Sequence, residues 1–240
     1  MTATEKIQAE VQRLHQMVPW YHQFEVEGDD GFKIQIQGRS ELRSIWENIR
    51  KVRAGVDYAG KRVLDIGTRD GMWAFEAEAM GAETVIGTDI GCDGYREHSA
   101  FIKSIIGSKV GFYYNVPVEQ QFERLDTFWQ FNPGLFDIVQ HLGVLYHLQD
   151  PLCSLRQARK CLKPGGTLLL ETAYWTNTCE PGALFNSRRD VYDDATTYWA
   201  FNLAGLWDAL LLCGFLEPDE YCLVHQTSTI GRVCLTARAV

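Results

Sequence analysis

Residues 63–71 read Val-Leu-Asp-Ile-Gly-Thr-Arg-Asp-Gly, an apolar run that leads into a turn with two glycines. Gly67 and Gly71 let the backbone bend sharply and approach a ligand closely. In doubly wound sheets, ligands bind at the carboxyl ends of the strands, where such turns lie. The spacing is not the G-x-G-x-x-G of dinucleotide-binding loops, and the Asp65 carboxylate would repel a pyrophosphate. The turn therefore suits a cationic ligand; an ordinary strand-to-helix turn is the alternative.

Around this turn, short apolar strands alternate with helices of ten or more residues, which predicts a parallel sheet covered on both faces. Strands are expected at 62–66, 84–88, 110–114, 136–140 and 167–172, and helices at 71–80, 93–105, 119–129 and 151–162. A helix at 203–213 and strands near 216–224 and 230–237 would follow. The fold class is thus α/β, with a Rossmann-like, seven-stranded, mostly parallel sheet.

The first 54 residues have a different pattern. Apolar side chains at helical spacing predict a helix over 2–18 and another over 39–54. Between them, two alternating runs flank Gly28-Asp29-Asp30-Gly31, which is typical of a hairpin. We therefore expect a helix–hairpin–helix cover of the active site at 1–54 and a core at 55–240, with an aromatic insertion at 173–202.

Composition excludes several classes of protein. Of the 240 residues, 46% are hydrophobic and 22% charged, as in globular proteins. No apolar run is long enough for a membrane span, and no signal peptide opens the chain, so we expect a cytoplasmic protein without a membrane partner. Seven widely spaced cysteines favour reduced thiols over disulfides or a zinc site.

The net charge of −8 disfavours broad binding to nucleic acids. A local basic patch remains an alternative to a solvated helix face. The residues concerned are Arg39, Arg43, Arg50, Lys51 and Arg53.

A second carboxylate, Asp89, ends the next apolar strand, 22 residues after Gly67. At that spacing it would lie at the strand tip, with Ile90 beside it, and accept hydrogen bonds from ribose hydroxyls. After the third strand, the backbone near Val118 and Glu119, or the Asn115 side chain, could contact an adenine edge. An ordinary loop is equally compatible with this segment.

Taken together, these residues resemble class I S-adenosylmethionine-dependent methyltransferases over about residues 55–175. Two further stretches are Gly-Val-Leu-Tyr-His-Leu at 143–148 and Lys-Pro-Gly-Gly at 163–166. They are similar to the branch that contains the tRNA wobble-uridine (carboxy)methyltransferase and related small-molecule methyltransferases. The resemblance implies S-adenosylmethionine as the cofactor and methyl transfer as the activity.

The resemblance also implies where the cofactor binds. The expected residues are Asp65, Gly67, Thr68, Arg69, Gly71, Asp89, Ile90, Val118, Glu119 and His141. Arg69 stands where the family's glycine loop usually has its middle glycine. In the wobble enzyme, a tyrosine and an arginine hold a carboxylated cofactor. The resemblance places these two residues at Tyr146 and Arg232, and Lys33 is the candidate for a lysine partner. Ordinary methyl transfer is the implication that we adopt.

Methyl transfer from a sulfonium needs positioning and, for a protonated nucleophile, a base. His147 is the first candidate, then His22, then His141, because an imidazole titrates near neutral pH. Tyr146 could orient the acceptor. Structural imidazoles and core aromatics are the alternatives. The residues expected to bind the acceptor are Trp20, Tyr21, Tyr146, Tyr174, Tyr198, Trp199, Asn202 and Arg232.

The sequence therefore predicts an S-adenosylmethionine-dependent methyltransferase that acts on an oxygen or nitrogen atom of a small molecule. No metal site is expected, and a homodimer is compatible with the pattern. Two alternatives stay open: a tRNA wobble-uridine-modifying (carboxy)methyltransferase, and a nicotinamide-dependent oxidoreductase on a similar sheet.

Overall fold

The N-terminal part of the chain forms two helices and a hairpin. The computed structural model describes residues 3–28, 31–91, 94–128, 135–176, 180–187 and 194–240. The first elements are α1 (Ala3–Met17), β1 (Phe24–Glu27), β2 (Lys33–Ile36) and, after a 3₁₀ turn at Ser40–Leu42, α2 (Arg43–Arg53). These elements confirm the predicted helix, hairpin and helix. The predicted turn residues Asp29 and Asp30 lie outside the described residues.

A mixed sheet forms the core. Five parallel strands are β3 (Arg62–Ile66), β4 (Thr84–Asp89), β5 (Gly111–Tyr114), β6 (Phe136–Leu142) and β7 (Leu162–Trp175). Two further strands, β10 (Glu220–His225) and β11 (Ile230–Arg238), add an antiparallel hairpin. The strand order β10-β11-β7-β6-β3-β4-β5 confirms the predicted Rossmann-like sheet.

The sheet is larger than the seven strands expected. Two three-residue strands, β8 (Ala183–Phe185) and β9 (Trp199–Phe201), bring it to nine within the described part of the chain. They lie in the predicted irregular insertion, and β9 attaches beside β7 through the pair Tyr174–Phe201. Strands this short show no alternation that sequence analysis could detect.

The Lys-Pro-Gly-Gly stretch at 163–166 precedes the strand that was expected at 167–172. It lies within β7, where Phe136 pairs with Leu162 and Ile138 pairs with Thr167. The four residues between Leu162 and Thr167 therefore bulge from the ladder before regular pairing resumes.

Helices cover both faces of the sheet, as predicted. They are α3 (Met72–Ala79), α4 (Tyr95–Ile105), α5 (Gln121–Phe128), α6 (Pro151–Cys161) and α7 (Leu203–Leu212). Val63 and Ile138 belong to the core under α1 to α4, whereas their neighbours Leu64 and Val139 belong to the core under α5 to α7. This alternation follows from the period of two in a strand.

None of the helices in the described ranges is long and apolar enough to cross a membrane. The division into a cover at 1–54 and a core at 55–240 remains a prediction. Helix α2 of the cover packs directly on β10 and β11.

Candidate active site

A cavity of about 690 Å³ opens at the carboxyl ends of the parallel strands. Its walls come from the turn after β3, the end of β4, the segment after β6, the cover helix α2 and the insertion. The structure brings together on it twelve of the residues that the sequence predicts for the site: Tyr21, His22, Gly67, Arg69, Asp89, Ile90, Val118, Glu119, Tyr146, His147, Tyr198 and Arg232. Their roles remain predictions.

The turn after β3 is held closely against its neighbours. Gly67 has φ +74°, and a Cβ there would lie 2.3 Å from Val144 Cγ2. The amides of Gly67 and Thr68 donate to the Thr88 carbonyl at 2.8 and 2.9 Å. Gly71, with φ +90°, then begins α3 as its N-terminal cap. A glycine is therefore required at position 67 by both its positive φ and the close approach of the Val144 side chain.

Asp89 orders the turn from the neighbouring strand. Its carboxylate accepts a hydrogen bond from the Arg69 amide at 2.9 Å, and the Gly91 amide lies 3.4 Å from its other oxygen. Arg69 itself has φ +51°, a conformation that favours glycine. Arg69 therefore adopts a left-handed conformation that a glycine would take more readily.

The Arg69 side chain lies between two tyrosine rings. Its guanidinium carbon is 4.2 Å from the centre of the Tyr21 ring and 4.7 Å from that of Tyr95. Its Nη2 also donates to the Tyr95 hydroxyl at 3.3 Å. These stacked contacts hold a positive charge on the wall of the cavity.

Asp65 lies beneath the cavity floor rather than on it. Asp65 is only 1% exposed, and Gln140 Nε2 donates a hydrogen bond to its Oδ1 at 3.2 Å. Burial raises the pKa of Asp65 to about 6. The predicted direct contact between this carboxylate and a cofactor therefore has no support from its position, although its charge lies under the glycine turn.

Asp70 is a structural anchor that sequence analysis missed. Its Oδ2 accepts hydrogen bonds from the backbone amides of Tyr21 at 3.0 Å and His22 at 2.9 Å. Its Oδ1 contacts Nδ1 of the His22 ring. Burial opposes ionisation, but His22 and the two amides hold the pKa of Asp70 below its usual value. This buried carboxylate fixes the N-terminal cover to the glycine turn.

A buried ion pair forms the opposite wall. Arg232 donates to both carboxylate oxygens of Glu171 at 2.6 Å, and its guanidinium carbon lies 4.4 Å from the centre of the Tyr146 ring. Glu171 was not predicted. A signal existed, because a carboxylate inside the apolar β7 needs a partner, and Arg232 lies diagonally across the ladder formed with β11.

His147 presents a defined tautomer to the cavity. Its Nδ1 lies 2.9 Å from the Thr196 carbonyl, which can only accept a hydrogen bond. Nδ1 therefore carries the proton in the neutral ring, and Nε2 is left as an acceptor. Burial lowers the pKa of His147. The Thr196 hydroxyl, 3.1 Å from the same Nδ1, donates to Asp194 at 2.7 Å.

Besides Asp65, seven predicted residues lie off the cavity lining, one of which is Gly71 at the start of α3. His141 faces the opposite core, where its Nε2 is 2.6 Å from Ser154 Oγ, and burial lowers its pKa to about 4. Trp20 is 1% exposed, stacks on His98 and donates to the Val11 carbonyl at 3.2 Å. Thr68 is fully buried against Gly87. Strand alternation turns His141 away from the cavity, and aromatic packing does the same for Trp20.

The remaining three support the fold around the insertion. Asn202 caps α7 by accepting from the Gly205 amide at 2.8 Å. Trp199 donates from Nε1 to the Gln149 carbonyl at 3.2 Å, and Tyr174 is buried in the core under α5 to α7. Lys33, the guessed lysine partner, instead contacts Glu25 at 2.9 Å on the exposed hairpin. In the ranges that the structure describes, no group of His, Cys, Asp and Glu side chains could hold a metal ion.

Comparison with known proteins bears on the activity. Residues 34–209 match the family model described as "Methyltransferase domain". The chain is 34% identical over 143 residues to a tRNA U34 carboxymethyltransferase of Pseudomonas paraeruginosa, which covers 60% of this chain and 41% of that protein. The chain thus spans about half the length of the curated relatives that it matches.

Two solved structures share the architecture. The N-terminal domain of EvdMO1 with SAH bound has a TM-score of 0.70 at 20% identity, over 100% of this chain and 98% of that one. The 1,6-didemethyltoxoflavin-N1-methyltransferase of Burkholderia thailandensis has a TM-score of 0.60 at 17% identity, over 100% and 92%. At these identities the likeness establishes the fold alone.

Proposed function

This chain belongs to the methyltransferase domain family, and from that premise we propose that it transfers a methyl group from S-adenosylmethionine to an oxygen or nitrogen atom of a small-molecule acceptor. Family membership removes the nicotinamide-dependent oxidoreductase from consideration. One observation carries the proposal: a single cavity joins the Gly67 turn and Asp89 to His147, whose Nε2 is an acceptor.

The turn side of the cavity suits the cofactor. The turn places the backbone of Gly67 on the cavity wall, and the Asp89 carboxylate beside it can accept from ribose hydroxyls. Val118 and Glu119 would line the adenine, and the charge of Asp65 beneath the floor would favour a cationic amino acid. When bound, S-adenosylmethionine supplies an activated methyl group and its leaving group.

His147 would act as the base for the acceptor. The Thr196 carbonyl fixes its tautomer, so Nε2 can take the proton of a hydroxyl or amine held beside it. The lowered pKa keeps the ring neutral, and thus able to accept, at neutral pH. Tyr146, beside Arg232, would orient the acceptor from the adjacent wall.

The dimensions of the cavity support a small acceptor. Its volume of about 690 Å³ must hold both cofactor and acceptor, and such volumes are typical of small-molecule sites. The cover closes one wall with the apolar side chains of Ile45, Trp46 and Ile49. The opposite wall carries Glu171, Arg232 and Tyr198, so the acceptor is expected to combine an apolar face with hydroxyl or amino groups.

A second candidate is the tRNA wobble-uridine (carboxy)methyltransferase. The names of the similar relatives favour it, as does the contact between Tyr146 and Arg232. However, Nε and Nη2 of Arg232 already donate to Glu171, and the negative charge of that carboxylate opposes the binding of a second carboxylate beside it. Lys33 lies on the exposed hairpin with Glu25, away from the cavity lining.

Calorimetry with S-adenosylhomocysteine tests the cofactor proposal, with the Asp89→Ala variant as the site control. We expect binding by the wild type and at least tenfold weaker binding by the variant, since a charged hydrogen-bond acceptor is lost (about 1.5–3 kcal/mol). Labelled methyl transfer is then screened over hydroxylated and amino small molecules, with unmodified and hydroxylated wobble tRNA as a parallel arm. Absence of binding refutes the proposal, and transfer to tRNA alone favours the second candidate.

A further inference from the structure

A chain of buried polar side chains runs from the cover helix α2 to Asp65. Arg53 Nε donates to the Tyr58 hydroxyl at 3.2 Å, and that hydroxyl donates to Gln140 Oε1 at 2.7 Å. Gln140 Nε2 then donates to Asp65 Oδ1 at 3.2 Å. Gln140 and Asp65 are also register partners on the adjacent strands β6 and β3, so they share one face of the sheet.

Every hydrogen bond in this chain points the same way. The guanidinium has only donors, the hydroxyl both accepts and donates, and the amide presents its oxygen to Tyr58 and its nitrogen to Asp65. The donor reaching Asp65 therefore favours the ionised carboxylate, which is an acceptor only. Bonds aligned in this manner polarise one another in a medium of low dielectric.

The chain is sealed from water along its length. The exposed fractions are 2% for Arg53 and Tyr58, 0% for Gln140 and 1% for Asp65. At its outer end, Arg53 pairs with Glu76 of α3 at 2.5 Å and donates to the Trp73 carbonyl at 3.3 Å. Each link is costly to break, because its partner would remain buried and unsatisfied.

We propose that Arg53, Tyr58 and Gln140 form a one-way hydrogen-bond relay that keeps Asp65 ionised beneath the cavity and so strengthens the binding of the ammonium group on the cofactor's amino acid. The three are positioning residues, since they act through Asp65. The inference rests on the proposed function, because it assumes that the cofactor's ammonium group lies on the turn side of the cavity.

Several groups act together on Asp65. Burial raises its pKa to about 6, and Thr68 of the turn, Arg53 of α2, His22 of the N-terminal segment and Gln140 oppose that rise. The Asp70 carboxylate contacts the ring of the same His22. Loss of the relay would therefore move the titration of Asp65 upward, into the neutral range where the cofactor must bind.

The test uses Gln140→Leu and Tyr58→Phe, with Ser154→Ala as the matched control. Ser154 bonds to His141, the neighbour of Gln140 on β6, but on the opposite face of the sheet. Removing that bond breaks a buried contact of the same kind without touching the relay. The titration of Asp65 is followed by carboxyl-carbon NMR, and the affinity for S-adenosylhomocysteine is measured by calorimetry at pH 6.5 and 8.5.

We expect both relay variants to raise the titration midpoint of Asp65 by about one pH unit or more and the control to leave it unchanged. The dissociation constant should rise about threefold or more at pH 6.5 and less than about twofold at pH 8.5. Binding of 5′-methylthioadenosine, which lacks the amino acid, should stay within about twofold throughout.

An Asp65 titration in Tyr58→Phe and Gln140→Leu that matches the control overturns the relay. So does an equal loss of affinity for both ligands at both pH values. If the wild type binds neither ligand, the proposed function fails, yet the NMR titration still decides whether the relay sets the charge of Asp65. Tyr58→Phe keeps the ring and its packing, so one relay variant remains testable if Gln140→Leu does not fold.

Discussion

At the level of single side chains, the proposed reaction depends on whether His147 is neutral. For His147→Gln we expect kcat to fall by about 10²- to 10⁴-fold with little change in S-adenosylhomocysteine affinity, because a base acts on the reaction rather than on binding. The wild-type rate should fall only at acidic pH, since burial lowers the pKa of this ring and the protonated form cannot accept a proton. Rate–pH profiles of both proteins check this; an acid limb with a midpoint above pH 7, or a variant with full activity, contradicts it.

Gly67 gives a second residue-scale prediction. Alanine at this position meets both an unfavourable φ of +74° and the Val144 side chain 2.3 Å away. We expect Gly67→Ala to weaken S-adenosylhomocysteine binding at least tenfold, and Gly67→Ala/Val144→Ala to recover part of the loss. Gly60→Ala is the matched control, because φ there is +67° but no atom lies within 4 Å of the added Cβ. The control should lose about 1 kcal/mol of stability and keep its affinity.

At the scale of elements, the Asp70 carboxylate joins the N-terminal cover to the start of α3. Asp70→Ala leaves His22 and two backbone amides without their buried acceptor, so we expect the free energy of unfolding to fall by about 3–5 kcal/mol at pH 7. The folded pKa of Asp70 is lowered, so its contribution is complete above about pH 4 and is lost as the pH falls through the folded value.

Urea unfolding of wild type and Asp70→Ala from pH 7 downward measures this contribution. Glu10→Ala, which removes an exposed pair with Arg13, is the control and should leave the unfolding midpoint almost unchanged. A difference between wild type and Asp70→Ala that persists unchanged well below pH 3.8 would show that the loss comes from packing rather than charge.

The sequence predicted the elements better than the partners of their side chains. Short apolar runs separated by segments of helical length located β3 to β7, because strands buried on both faces are apolar throughout. The glycine turn and Asp89 reach the cavity because strand ends meet at one edge. His141 lies off the cavity because strand alternation turns its side chain to the face opposite Gln140. Sequence analysis could have used this alternation to place the His141 side chain. It could not have found the partners of Asp70, because they lie 48 and 49 residues away in the sequence.

Contacts between residues far apart in the sequence explain the other differences between the predicted and the observed site. Glu171 and Arg232 are 61 residues apart, and only the antiparallel register of β7 and β11 brings them together. Trp20 is an aromatic residue of the kind that often binds ligands, but its ring stacks on His98 instead. The residue type alone could not distinguish these roles, because burial decides between them.

At the scale of the whole molecule, charge bears on the choice between acceptors. The chain carries −8, and most of the basic residues that could form a patch are already paired. Arg50 and Arg53 both contact Glu76, and Arg39 contacts Glu41. Of that set, Arg43 and Lys51 lie on the exposed face of α2. This surface therefore has few positive charges with which to neutralise the phosphates of an RNA backbone.

We therefore expect a labelled anticodon stem–loop to bind no more tightly than about 10 µM at 150 mM salt, within the range of non-specific contacts. Fluorescence anisotropy at 50 and 200 mM salt measures the affinity and its salt dependence, and Arg43→Glu/Lys51→Glu reports whether the α2 surface takes part. Because S-adenosylhomocysteine carries no phosphate, we expect its affinity to change less than about twofold between the two salt concentrations. Submicromolar binding of the stem–loop that is lost at 200 mM salt and in the double variant would instead favour the second candidate, since strong salt dependence indicates phosphate contacts.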